Sequence, residues 1–314
     1  MPEAMNEAAS SGRARRRTRF MNLPYRVWRL DARGARRWVL HGRLEHVCGR
    51  YVVSRGPQEL AEEFEAGPAE GSGPGDDPAG ATADYNVAPT KQAPVVLGRG
   101  FGDRLLRLFT WGLVPSWAKD RSIGNRLVNA RAETLLGKPA FQRAALSRRC
   151  LVPADGWYEW QVSPTETDAR GKPRKQPFFM RSITAGTLAF AGLYELWRDP
   201  SALPDEPAAW LATYAIVTTA AEPGLDVVHD RMPFVLPADR WDGWLDPGQR
   251  DPDVVHALLQ PPVDGRFEAV PVTNQVNSVR SNGPQLLEPV PWDQLHGVVD
   301  PRTGELLGTE TPLF

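Results

Sequence analysis

Cys48, Glu159 and His229 supply a thiol, a carboxyl and an imidazole, the three groups most often used to attack carbon and move protons. Glu159 stands in the run Gly156-Trp157-Tyr158-Glu159-Trp160, where aromatic walls desolvate a carboxylate and favour its protonated form. His229, before Asp230-Arg231, can shuttle protons near neutral pH. Cys48 follows Val47. A GTG codon is read as Met when it starts a chain and as Val inside one, so Val47 is itself a candidate first residue. Removal of that initiator would leave Cys48 with a free amine beside its thiol. An aminothiol of this kind condenses with an aldehyde to a five-membered thiazolidine. An α-amine has a reference pKa of about 7.7–8.0 and is partly neutral at cellular pH, and a thiol, at about 8.5, can then close on the imine carbon.

Six segments carry the rest of the signal. They are Cys48-Gly49-Arg50-Tyr51, Tyr85-Asn86-Val87-Ala88-Pro89-Thr90, Trp111-Gly112-Leu113-Val114-Pro115-Ser116-Trp117, Asn129-Ala130-Arg131-Ala132-Glu133-Thr134, the Glu159 run, and His229-Asp230-Arg231-Met232-Pro233. In this order and spacing, over about residues 47–290, the chain resembles the SOS response-associated peptidase (SRAP) family of abasic-site processing proteins. The resemblance implies binding to single-stranded DNA and capture of the C1′ aldehyde of a ring-opened abasic sugar by an N-terminal Cys48. Under it, Glu159 protonates the sugar ring oxygen, and His229 serves Schiff-base formation and reversal of the crosslink. Asn129 orients the amine and the sugar hydroxyl. Arg131 and Arg231 bind flanking phosphates, Arg50 does the same, and Pro89, Trp117 and Trp160 wedge or stack against bases. No cofactor and no metal are expected, because five scattered histidines and two cysteines give no zinc-ligand spacing.

These residues need a scaffold. Short alternating or apolar runs at 93–97, 105–111, 149–153, 156–161, 177–181, 188–193 and 214–219 read as strands, and helices are expected near 133–146, 237–246 and 251–259. The pattern predicts an α+β domain around an antiparallel, partly barrel-like sheet with flanking helices. Cys150 and Trp111 fall in apolar strands and read as core, and Thr218 lies in a strand leading toward His229. The domain is expected over 47–295, with a flexible loop at 66–83, a turn-rich stretch at 162–174 and an extended tail at 296–314.

Charge divides the chain unevenly. Residues 1–46 hold eleven arginines and four acids, a balance of +7, so the remainder carries −8 and any DNA contact there must be a local basic surface. The leader, with its run at 13–19, is expected to be disordered or upstream sequence from a misplaced start. It lacks the apolar core of a secretion signal, and no apolar run is long enough to span a membrane, so a cytoplasmic monomer is expected. The terminal Glu310-Thr311-Pro312-Leu313-Phe314 suggests docking on a replication sliding clamp. Two other functions fit the same residues: a cysteine peptidase built from Cys48, His229 and Glu159, or a non-catalytic single-stranded DNA-binding module with stacking tryptophans. The peptidase event in view is chiefly self-processing that exposes Cys48, and a strand-cleaving lyase step is left open.

Overall fold

The computed structural model describes residues 26–30, 36–40, 49–67, 75–100, 102–203, 206 and 209–308. Val47, Cys48, the arginine-rich run at 13–19 and the 310–314 terminus lie outside the described residues. The chain divides into two compact units, 1–45 and 46–314. In the first, β1 (Arg26–Leu30) pairs antiparallel with β2 (Arg36–Leu40).

Among the described residues the second unit is built from two main sheets and a short two-stranded pair. Its strands are β3 (Arg50–Val53), β4 (Ala66–Gly67), β5 (Asp84–Val87), β6 (Gln92–Gly100), β7 (Asp103–Trp111), β8 (Asn129–Arg131), β9 (Arg149–Ala154), β10 (Gly156–Thr167), β11 (Pro173–Ser182), β12 (Leu188–Arg198), β13 (Trp210–Ala220), β14 (Arg231–Pro233), β15 (Phe267–Pro271), β16 (Val298–Val299) and β17 (Leu306–Leu307). Strands β13, β12, β9, β6 and β7 pair in sequence, and a parallel step from β7 back to β13 closes the ring. Closure removes the sheet edges that would otherwise be open to other chains. Every residue of β9 is buried. The second sheet has the order β15-β11-β10-β3-β5. The unit is therefore an α+β fold with a mainly antiparallel, barrel-like core.

Aromatic side chains join the sheet to the barrel. Tyr51 of β3 meets Trp111 and Phe190 edge-on, at centroid distances of 5.3 and 6.0 Å. Trp157 of β10 meets Phe190 at 6.0 Å. The Tyr51 hydroxyl lies 2.7 Å from that of Tyr214 on β13, and both rings are buried. The sheet's other face packs Val52, Tyr158 and Phe179 against Val272 and Val276.

Four short helices flank these layers: α1 (Pro57–Glu63), α2 (Gln142–Ser147), α3 (Trp241–Leu245) and α4 (Pro252–Leu258). Buried Arg149 donates to the carbonyls of Ala145, Trp244 and Asp246, so one guanidinium satisfies the open ends of α2 and α3. The helix expected over 133–146 is broken. A 3-10 turn at Leu135–Gly137 stops ahead of Pro139, because a residue before proline is pushed out of the helical region, and α2 starts afresh at Gln142. The turn-rich stretch at 162–174 is mostly strand: β10 and β11 run on as a long hairpin with a register shift between Val162 and Thr167. Within the tail, β16 and β17 form a small antiparallel pair.

Gly156 opens β10 where a Cβ would fall 2.3 Å from the Met180 carbonyl oxygen and 2.5 Å from the Phe179 ring. Backbone cannot yield there, so Gly156→Ala is expected to destabilise the unit by about 1–3 kcal/mol, seen as a lower denaturant midpoint. An unchanged midpoint would mean that β10 has slack against β11.

Candidate active site

Strand β10 is the spine of the site. Side chains alternate across a strand, so Trp157, Glu159 and Gln161 face one side, toward Tyr51 and the barrel. Tyr158 and Trp160 face the other. Glu159 is only 3% exposed although it carries a carboxyl group. Beside β10 runs β3, with Trp157 opposite Tyr51 and Tyr158 opposite Arg50. Gly49 leads into β3, and the peptide bond before it belongs to Cys48. Chain connectivity thus ties Cys48 to the strand next to Glu159. Cys150, by contrast, is buried at the β9–β12 pairing, and burial pushes its thiol far up, so it is not a nucleophile.

Gln161 connects the Glu159 face to the loop before β14. Its Nε2 donates to the Val227 carbonyl at 3.2 Å and to the Val299 carbonyl at 2.9 Å, and its Oε1 accepts from the Val299 amide at 2.7 Å. Val227 stands two residues before His229, so a buried amide on the Glu159 face holds the histidine's loop. The His229 Nδ1 lies 3.1 Å from the Arg231 amide and 3.1 Å from Asp230 Oδ1. One nitrogen serves these partners in turn. Unprotonated, it accepts from the amide; protonated, it donates to the carboxylate. The bond from His229 holds the Asp230 carboxyl below the usual range, against a smaller push upward from burial.

The C-terminal end of β13 gathers the remaining residues. Strand β8 pairs with it in parallel, Asn129 opposite Ile216 and Arg131 opposite Thr218, so Asn129 and Arg131 share a face while Ala130 enters the core. On the other side β14 pairs with it, Arg231 opposite Ala220. Arg231 grips Glu133 with two parallel bonds of 2.7 and 3.0 Å and donates to the Thr218 carbonyl at 2.7 Å. Burial pushes the Glu133 carboxyl up, but Arg231 and then Arg131 pull harder, and the net direction is down.

Arg50 and Trp160 lie on the sheet's opposite face from Glu159. Arg50 donates 3.0 Å bonds to Asn86 Oδ1 and the Val276 carbonyl, and its guanidinium lies 5.9 Å from the Trp160 ring centre. Trp160 Nε1 donates to Asn277 Oδ1 at 2.7 Å, which fixes the ring.

Residues 47–279 match the SOS response associated peptidase (SRAP) family. The chain belongs to the SRAP family. It is 36% identical over 242 residues to the abasic site processing protein YoqW of Bacillus subtilis, covering 77% of this chain and 99% of that one. The abasic site processing protein HMCES of Gallus gallus is 32% identical over 236 residues, 66% of each chain. A solved structure from Bacteroides thetaiotaomicron, 22% identical, superposes with a TM-score of 0.63 over 77% of this chain and all of its own, which supports the fold.

In this SRAP member the structure brings Asn129, Arg131, His229 and Arg231 toward the end of β13, and Gln161, on the Glu159 face of β10, bonds the Val227 carbonyl two residues before His229. Pro89 is half-buried in the turn closed by the bond from Lys91 to the Ala88 carbonyl. Trp117 is 61% exposed, a free aromatic face, whereas Trp111 is core and bonds the Val128 carbonyl. Three residues of the site had no assigned role in the sequence. Gln161 could have been found by alternation from Glu159. Asn86, inside a quoted motif, is fully buried and donates to the Ser278 and Ser281 carbonyls at 2.9 and 3.0 Å. Asn277 has no local signal, because its partner is more than a hundred residues away. Among the described residues no group of His, Cys, Asp and Glu is arranged to hold a metal, and no helix is long and apolar enough to cross a membrane.

Gln161→Ala removes the side-chain partner of two part-buried carbonyls and one amide, each bond worth about 0.5–1.5 kcal/mol. The expected result is loss of hydrogen-exchange protection at the Val299 amide together with faster exchange over 223–229. Exchange confined to Val299 would show that the histidine loop is held by other contacts.

Proposed function

We propose that this SRAP member captures abasic sites in single-stranded DNA by forming a covalent thiazolidine through Cys48. The supporting observation is the shared scaffold: Glu159 is buried on the strand beside the one Cys48 leads into, and Gln161 bonds that strand to the loop of His229. The names of the SRAP relatives point to the same lesion.

The closed abasic sugar hides its aldehyde as a hemiacetal. Glu159 donates a proton to the ring oxygen, the C1′–O4′ bond breaks, the C1′ hydroxyl gives its proton to water, and the aldehyde is exposed. The Cys48 amine adds to C1′, and loss of one water gives an imine. The thiol adds to the same carbon, its proton passes to nitrogen, and the thiazolidine closes. The carbinolamine must gain a proton to lose water, and His229 supplies it in this mechanism. Asn129 orients the amine, and Arg131, Arg231 and Arg50 hold flanking phosphates, with Pro89, Trp117 and Trp160 against bases. Arg231 meets phosphate by exchanging or sharing its bidentate grip on Glu133.

The amine must be free. Initiation at Val47 with removal of the initiator, or hydrolysis of the Val47–Cys48 bond by one water, leaves the same aminothiol. The second route is the self-processing that we assign to the peptidase of the family name. The crosslink shields the lesion, in a monomer acting in the cytoplasm near replicating DNA, with the 310–314 terminus as a clamp-docking segment.

A protein initiated at Val47 is expected to give an SDS-stable adduct with abasic single-stranded DNA and none with intact DNA. Cys48→Ala abolishes it, and Glu159→Gln slows it by roughly 100-fold or more. An adduct that persists in Cys48→Ala refutes the mechanism. Equal, salt-reversible binding of intact and abasic DNA without adduct would instead favour the binding-module reading.

A further inference from the structure

The domain that carries the site is acidic overall, yet the hairpin that prolongs β10 and β11 is basic. Residues 162–176 contain Arg170, Lys172, Arg174 and Lys175 against only Glu166 and Asp168. Both acids are engaged in building the hairpin. Asp168 Oδ1 accepts from the Arg170 and Lys172 amides at 2.8 and 2.9 Å, and Glu166 pairs with Arg174 at 2.8 Å. The turn is closed by bonds from the Asp168 amide to the Lys172 carbonyl and from the Gly171 amide to the Asp168 carbonyl. Gly171 sits at φ 72, a conformation suited to glycine. The tip therefore has a defined shape, and it presents the exposed side chains of Arg170 and Lys172 on either side of Gly171.

The arm is also braced at its base. Ser163 Oγ accepts from the Thr165 and Glu166 amides at the register shift. Gly297, ahead of β16, packs so closely that a Cβ there would lie 2.7 Å from both Ser163 Oγ and Glu166 Cγ. A cationic tip held in place can meet a backbone without a large ordering penalty.

We propose that this hairpin is a second DNA contact, in which Arg170 and Lys172 bind backbone phosphates of the strand flanking the lesion. The proposal rests on the reading of the protein as a binder of abasic DNA. At about 3.3 Å per residue, the eleven residues from Glu159 to Arg170 place the tip up to about 36 Å from the carboxylate. That reach puts the contact several nucleotides from the lesion along a single strand. The arm adds affinity and register, and takes no part in the chemistry.

The test uses the full domain initiated at Val47 and the double variant Arg170→Gln/Lys172→Gln. Both substitutions are at an exposed tip, and a matching thermal melt checks the fold. Binding of intact single-stranded 30-mers is measured against salt. Losing two phosphate contacts should make the slope of log K against log salt shallower by about 1.4, and weaken binding on the order of tenfold at 0.15 M salt. Crosslinking to a five-nucleotide abasic oligonucleotide, too short to reach the tip, should proceed at the wild-type rate. An unchanged slope overturns the proposal. So does an equal slowing on the short oligonucleotide, because the arm would then act through the site. Failure of the wild-type domain to crosslink any abasic DNA would refute the Cys48 mechanism alone, since the salt slope still reads the arm.

Discussion

Two buried tyrosine hydroxyls, Tyr51 and Tyr214, meet 2.7 Å apart where the five-stranded sheet rests on the barrel. Burial pushes both phenols up, so both stay neutral and the bond survives across the physiological range. The rings of Trp111, Phe190 and Trp157 pack around them, and geometry of this kind holds sheet and barrel in one register. The arrangement matters because the site is divided between the two. Strands β3 and β10 bring Gly49 and Glu159, and strand β13, where Tyr214 sits, organises Asn129, Arg131 and Arg231 at its far end. A shift at the tyrosine pair would separate the carboxylate from the arginines.

A second theme is that the charged side chains of the site are held by protein partners. Arg231 is gripped by Glu133, Arg50 by Asn86 and the Val276 carbonyl, and the histidine loop by Gln161. Held groups have less conformational freedom left to lose if a ligand engages them. The cations at the 170–172 tip differ from them in being exposed.

Much of this was legible in the sequence. The motif order identified the family, and the apolar runs at Cys150 and Trp111 marked core. The parallel closure of β7 on β13 was not legible, because it joins Trp111 to Tyr214 across a hundred residues with no local mark. Pro139 splits a helix whose hydrophobic spacing alone would run through it. The 162–174 stretch looked like loop because its side chains are mostly solvated on both faces, and the period-two signal of a strand needs one buried face. The partners of Arg50 and Arg231 were likewise hidden: a guanidinium that binds a phosphate and one that binds a carboxylate look alike in sequence.

The proposed chemistry depends on the two nucleophiles of one residue, the amine and the thiol of Cys48. Mass spectrometry of the trypsin-digested adduct between the native protein and abasic DNA tests it most directly. The prediction is a Cys48-Gly49-Arg50 tripeptide with a free-amine origin, carrying the sugar remnant with loss of one water. Attachment of the sugar to a lysine, or a modified peptide that retains residues ahead of Cys48, would contradict it.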